Sequence, residues 1–152
     1  MSLPKGITET IEIDPRLKET GFSLSIPIFK IFNCKILQSE YDLSDLVESL
    51  YQKLIVDYKG DKIKESEIVQ KYRNFSWHFL KLDPTKNRPS GEALARRIIK
   101  SKKFPKINPF VDAYNLASAE TFVSASGYDL QKITFPLTLR TANKGDQLEA
   151  IG

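Results

Sequence analysis

Cysteine and histidine are nearly missing from this chain, which has one of each, Cys34 and His78. A single cysteine excludes an internal disulfide and points to a reducing compartment. So few soft ligands cannot assemble a zinc site of the usual Cys/His type, and neither metal nor cofactor is expected. A Ser-His-Asp or Cys-His centre would have to use His78, which falls off the apolar stripe of its own helix. His78 therefore reads as a surface histidine, Trp77 beside it as a packing residue, and Cys34 as a small buried hydrophobe in strand phase. Long apolar runs are lacking too. None approaches a membrane span, and the N-terminus has no hydrophobic leader segment, so no membrane partner and a cytoplasmic location are expected.

What is present is ordinary in bulk and uneven in detail. At 152 residues the chain reads as one domain, large enough to bury about 68–70% of its unfolded surface. The net charge of +4 says little by itself. Its distribution says more, because Lys86 to Lys106 holds eight basic residues against one acid, Glu92. A local basic stripe is what a phosphate backbone needs.

Periodicity sets the expected elements. Ile7, Ile11 and Ile13 alternate as a short first strand, and Asp14-Pro15 opens a short helix stopped by Gly21. Phe22, Leu24, Ile26 and Ile28 give the clearest strand, with Pro27 restricting its pairing, and the phase resumes at Phe32, Cys34 and Ile36. Leu43, Leu46, Val47, Leu50, Leu54 and Tyr58 mark a helix from Asp42 to near Gly60. Another is expected from Lys64 to Leu80, with Ile68, Tyr72, Phe75 and Phe79 buried. After Asp129, the residues Ile133, Phe135, Leu137 and Leu139 alternate again. Asn143 to Asp146 is a turn, and a final strand starts at Gln147. Strands on either side of a helical block predict an α+β domain with mixed or antiparallel sheets packed against helices.

Function is expected within Arg88 to Asp129. Ser90 reads as an N-cap with Glu92 in the first turn behind it. Leu94, Ala95, Ile98 and Ile99 share one face of that helix, leaving Arg96, Arg97 and Lys100 on the other. The basic run continues through Lys102, Lys103 and Lys106 without an acid, which favours phosphate contact over a merely solvated face. Asn108-Pro109 opens the next helix, whose stripe is Phe110, Val111, Tyr114 and Ala117. Asp112 and Asn115 then share a different face, where they either brace backbone or line a pocket. Ser126 and Gly127 follow in a polar turn, with Gly127 supplying a positive φ.

Arg88-Pro89-Ser90 to Arg97, Pro105 to Asn108, Val111 to Asn115 and Tyr128 to Ile133 together resemble the B3/B4 domain. That domain is the editing module of the phenylalanyl-tRNA synthetase β subunit and also occurs as free-standing proteins. The strongest similarity spans residues 71–152. The resemblance implies an α+β core of unusual sheet arrangement beside a pocket for the 3′ end of tRNA, where misattached tyrosine is hydrolysed. It places Asp112, Tyr114, Asn115, Ser126, Gly127 and Tyr128 at the pocket. Arg88, Arg96, Arg97, Lys100, Lys102, Lys103 and Lys106 are then the RNA contacts. Two departures accompany it. A histidine of the family pattern falls on Ser126, and a glutamate that reads the tyrosine hydroxyl belongs to a segment beyond Gly152, so the family's C-terminal strands are expected to be missing.

Three functions follow: hydrolysis of a mischarged aminoacyl-tRNA in trans, binding of RNA or a small molecule without turnover, or an interaction fragment. The last would pair its exposed final strand with another part or with a second copy.

Overall fold

A computed structural model describes residues 11–147 except 20, 22, 25, 37–40, 60 and 61. In chain order come β1 (Glu12–Ile13), α1 (Pro15–Lys18), α2 (Ser44–Asp57), a 3-10 turn (Lys62–Glu65), α3 (Glu67–Asn74) and a π-helical turn (Phe75–Phe79). They are followed by α4 (Ser90–Ser101), α5 (Pro109–Thr121), a second 3-10 turn (Leu130–Lys132) and β2 (Thr138–Leu139). About 49% of the described residues are helical and they hold one small sheet, an α+β fold. Where mixed or antiparallel sheets were expected, the described strands form one parallel pair, Glu12 opposite Thr138 and Ile13 opposite Leu139. Two compact units result, Cys34–Gly127 and Met1–Asn33 with Tyr128–Gly152.

The helical unit, Cys34–Gly127, carries the core. Asp42 accepts both the backbone N–H and the hydroxyl of Ser44, at 2.8 and 2.6 Å, and so fixes the first turn of α2. Leu50 and Leu54 of α2 are buried, but Leu46, expected on the same stripe, is exposed. They pack with Ile63, Val69, Ala95, Ile98, Ala119 and Phe122, and the Tyr58 and Phe122 rings meet edge to face at 5.2 Å.

The single helix expected over 64–80 is three pieces, and its buried residues are Ile63, Val69 and Ser76. Ile68 points outward and Trp77 is exposed, against expectation. The cause is angular: 3-10 and π turns advance by different amounts per residue, so one period of 3.6 does not run through all three.

The α4–α5 hairpin departs from expectation in a way that matters for function. The residue capping α4 is Pro89 rather than Ser90. Asn108 caps α5 as expected, its Oδ1 accepting the Val111 N–H at 2.9 Å. The face of α5 that is buried, however, holds Asp112, Ser118 and Ala119, while Ala117 of the expected stripe is exposed. At Ser118 close helix approach decides this. A Cβ on Gly91 would lie 2.7 Å from both the Ser118 carbonyl oxygen and the Phe122 carbonyl carbon. At that separation α5 can offer α4 only small side chains, whatever the apolar pattern suggests.

The second unit, Met1–Asn33 with Tyr128–Gly152, is tied by polar groups. Asp14 caps α1 through the Arg16 N–H at 2.9 Å and pairs with its guanidinium. The Asn143–Asp146 turn forms as expected, with Gly145 at φ 99° and Arg140 donating to Asp146 at 2.5 Å. Leu24, Ile26 and Ile28 form no strand, and neither do Phe32, Cys34 and Ile36. A strand needs a ladder partner, and these residues pair with none among those described, while Pro27 lacks a donor and Asn33 turns to φ 56°. Cys34, expected to be buried, is exposed. The strand expected over 133–139 shrinks to Thr138–Leu139, since Pro136 removes one ladder donor. Ile7, Phe22 and Leu148 to Ile151 lie outside the described residues, and with them the strand expected to mediate self-association.

Candidate nucleic-acid interface

A cleft of about 510 Å³ opens in the helical unit between the start of α2 and the loop joining α4 to α5. Lys102, Lys103 and Lys106 stand on the loop side, with Asp42 and Glu48 facing them from the α2 side. Tyr41, Val47 and Phe104 supply apolar surface, and Asp112 lies at the cleft wall.

Sequence places the lysines there through the turn that ends α4. Lys102 takes a left-handed conformation, φ 53°, and stops the helix, so the following residues reverse along the hairpin. Pro105 and the Asn108-Pro109 cap then launch α5. Asp112 is fully buried and holds this loop in place, its two oxygens accepting the Ile107 N–H at 3.1 and 3.2 Å. The Tyr41 hydroxyl donates to the same carboxylate. Burial raises the Tyr41 hydroxyl to about 12, and the bond to Asp112 acts in the same direction. The phenol therefore stays protonated and keeps donating at neutral pH. The Lys106 ammonium lies 4.9 Å from the centre of the Tyr41 ring.

The seven expected RNA contacts are not equivalent. Arg96 donates to Glu92 at 2.7 Å, and Arg73 binds the same buried carboxylate with two bonds, at 2.6 and 3.1 Å. Burial pushes the Glu92 carboxyl up, but the two guanidiniums outweigh it and hold it below its ordinary value. Arg96 is thus engaged within α4, and Glu92 does more than complement a helix dipole, since through Arg73 it ties α4 to α3. Lys102 bonds Glu48 at 3.1 Å and lies 4.2 Å from the centre of the Tyr51 ring. Glu48 is held below the usual carboxylate range by the Gln52 amide and then by Lys102. Lys103 and Arg97 have no charged partner among the described residues. Arg88 and Lys100 are exposed and line neither cavity.

The expected pocket residues are distributed over several places. Asp112 lines the cleft, but Asn115 lines a second cavity, of about 260 Å³, with Ser90, Ala93, Leu94 and Arg97. Gly127 lies on aromatic rings: a Cβ there would come 2.5 Å from Phe110 and 3.3 Å from Tyr114. Its φ is not positive, so close ring contact rather than turn geometry accounts for a glycine here. Ser126 is exposed, and Tyr128 belongs to the other unit, where it is 69% exposed. His78 is exposed on the π-helical turn. Tyr41, Asp42 and Glu48 were missed by sequence reasoning. The Asp-x-Ser pattern at Asp42 announces a helix start, but nothing local says that this start faces a loop 60 residues later.

Among the described residues no group of His, Cys, Asp and Glu could hold a metal ion, and no helix is long and apolar enough to cross a membrane. No curated protein and no solved structure matches the chain. A family sequence model described as the B3/4 domain matches residues 71–152, which hold α4, the basic loop, α5 and the Gly127 turn. That match covers more than half of the chain, which therefore belongs to the B3/4 domain family, related to the editing and tRNA-binding module of a tRNA synthetase.

Proposed function

We propose that the chain binds the single-stranded 3′ end of a tRNA or tRNA-like RNA in the lysine-lined cleft, as a binding module without turnover. The observation that carries this reading is the meeting of Lys102, Lys103 and Lys106 with Tyr41 in one cleft of a B3/4 family member. The cleft volume falls in the range of about 300–1,000 Å³ that encloses a small ligand or one residue of a polymer. Lys103 offers an ammonium with no counter-charge among the described residues, which a phosphate would supply. Tyr41 offers a ring on which a base can stack, held by its bond to Asp112.

Binding is favoured over hydrolysis by the state of Asp112. A general base needs a free oxygen near the attacking water. Both Asp112 oxygens accept from Ile107, one accepts from Tyr41 as well, and the carboxylate is buried. It is engaged as a brace.

The test pairs an RNA-binding titration with a deacylation assay on mischarged tRNAs. Lys103→Ala should lower the slope of log Kobs against log salt by about 0.7, the single-strand value per phosphate. Lys102→Ala should change it less, since Glu48 already neutralises that lysine. An unchanged slope for Lys103→Ala overturns the RNA reading, and turnover above background overturns the non-catalytic one.

A further inference from the structure

Glu48 on α2 and Lys102 at the end of α4 both line the cleft, and they are bonded to each other. The Lys102 ammonium donates to the two Glu48 carboxylate oxygens at 3.2 and 3.1 Å. Lys103 and Lys106, also in the cleft, bond no carboxylate among the described residues. One of the three cleft lysines therefore already holds an oxyanion supplied by the protein itself.

The pair is built so that it can open. The Lys102 backbone is fixed, since its N–H donates to the Ile98 carbonyl at 2.8 Å and its φ of 53° ends the helix. The two side chains are about half exposed, and exposed pairs of this kind are weak. Each also has a second partner that does not depend on the first. Gln52 donates its amide to Glu48 at 2.8 Å, and the Tyr51 ring centre lies 4.2 Å from the Lys102 ammonium. With the pair open, the carboxylate keeps an amide and water, and the ammonium keeps an aromatic face.

We propose that Glu48 is an internal competitor for phosphate at Lys102, a strap that an RNA strand displaces when it fills the cleft. This rests on the RNA reading of the cleft and adds a selectivity to it. Displacement exchanges one oxyanion for another at Lys102, so that contact alone yields little net affinity. Lys103 and Lys106 supply the surplus. A strand that reaches all three lysines opens the strap, whereas a single anion gains almost nothing by changing places with Glu48. Glu48, Tyr51 and Gln52 lie outside residues 71–152, so the strap is a device of this chain's own α2.

A double-mutant cycle on binding of a single-stranded oligonucleotide tests this, with Glu48→Gln, Lys102→Ala and the two combined. Glutamine keeps the length and helix-forming character of glutamate, and both positions are exposed, so the variants keep the packing intact. Glu48→Gln should tighten binding about two- to fivefold at low salt, the equivalent of an exposed ion pair. It should also steepen the slope of log Kobs against log salt by about 0.7, because Lys102 then meets the strand unpaired. In the Lys102→Ala background both gains should disappear. Gains that persist there overturn the strap, since they report only the removal of a negative charge from the cleft, and so does the absence of any gain with Glu48→Gln alone.

Lys103→Ala, measured beside the cycle, keeps the two readings apart. If it lowers the slope while the cycle shows no coupling, the strap falls and the RNA reading stands. If it leaves the slope unchanged, the RNA reading falls, and inorganic triphosphate then decides the strap. Triphosphate binding that strengthens with Glu48→Gln and is lost in the combined variant keeps Glu48 as the competitor at a polyphosphate site. Triphosphate binding that is absent, or indifferent to Glu48→Gln, removes it.

Discussion

In the helical unit eight apolar side chains are buried together, from Leu50 on α2 to Phe122 beyond α5, whereas in the other unit Leu17 is the one buried hydrophobic residue among those described. The second unit relies instead on Asp14 with Arg16, Arg140 with Asp146, and a two-residue strand pairing. Solvent-exposed pairs of this kind contribute about 0–1 kcal/mol, against about 1.5–3 kcal/mol for each fully buried large apolar side chain. The comparison teaches where a binding surface can be rigid. Both cavities lie on the unit with the apolar core, on a hairpin that the core fixes from behind.

The helical unit nevertheless contains a buried ionic knot, and removing it tests whether apolar packing alone holds α3 against α4. Glu92 is 1% exposed and binds both Arg73 and Arg96. Glu92→Ala leaves two guanidiniums without their anion beside the α3–α4 contact. Loss of one partner from a buried ionic group costs about 3–5 kcal/mol. The two arginines are partly exposed and can rehydrate, so a loss of about 3 kcal/mol in urea unfolding is expected. A loss below about 1 kcal/mol would mean the contrast between units is purely apolar against polar.

Acid sharpens the contrast from the other side. Hydrogen bonds from Arg16 hold the Asp14 carboxyl at about 2, and those from Arg140 do the same for Asp146. Both values lie below the ordinary one, so the support these groups give is fully present above about pH 4. It is lost as the pH falls toward 2. Glu92 is depressed in the same sense, but its unit keeps its apolar core. Amide exchange should therefore rise at Glu12 and Asp14 on acidification before it rises at Ile98 or Ala119. Simultaneous loss would show that the polar unit is no weaker than the helical one.

How much of this was legible in the sequence follows the same division. The caps were readable because they are local: Asp14-Pro15 and Asn108-Pro109 form as their residue types require. So was the basic loop, whose lysines at 102, 103 and 106 do line one cleft. The buried face of α5 was not, because the Gly91 approach sets it at Ser118, while Asp112 is held by the Ile107 N–H and the Tyr41 hydroxyl. Strands at 22–36 were not either, since alternation records a preference while pairing depends on a partner elsewhere in the chain. The α2 wall of the cleft, with Tyr41 and Glu48, depends on contacts across more than 50 residues and leaves no local trace.

The smallest expected effect concerns Ser118, which shows how tightly the helical unit is constrained. Its hydroxyl is buried and has no hydrogen-bond partner among the described residues. The position must be small, because α4 passes against it at Gly91. A buried hydroxyl without a partner costs about 1–3 kcal/mol relative to solvation. Ser118→Ala removes that group while keeping the volume the helix approach allows, so it should stabilise the helical unit by about 1 kcal/mol. Ser118→Val restores apolar surface but meets the α4 backbone, and overpacking of this kind costs about 1–3 kcal/mol. A gain for alanine with a loss for valine, read as shifts in the urea midpoint, identifies close helix approach as the constraint on this face. If both substitutions stabilise, the face has room to spare. The smallness of Ser118 and Gly91 would then need a different cause.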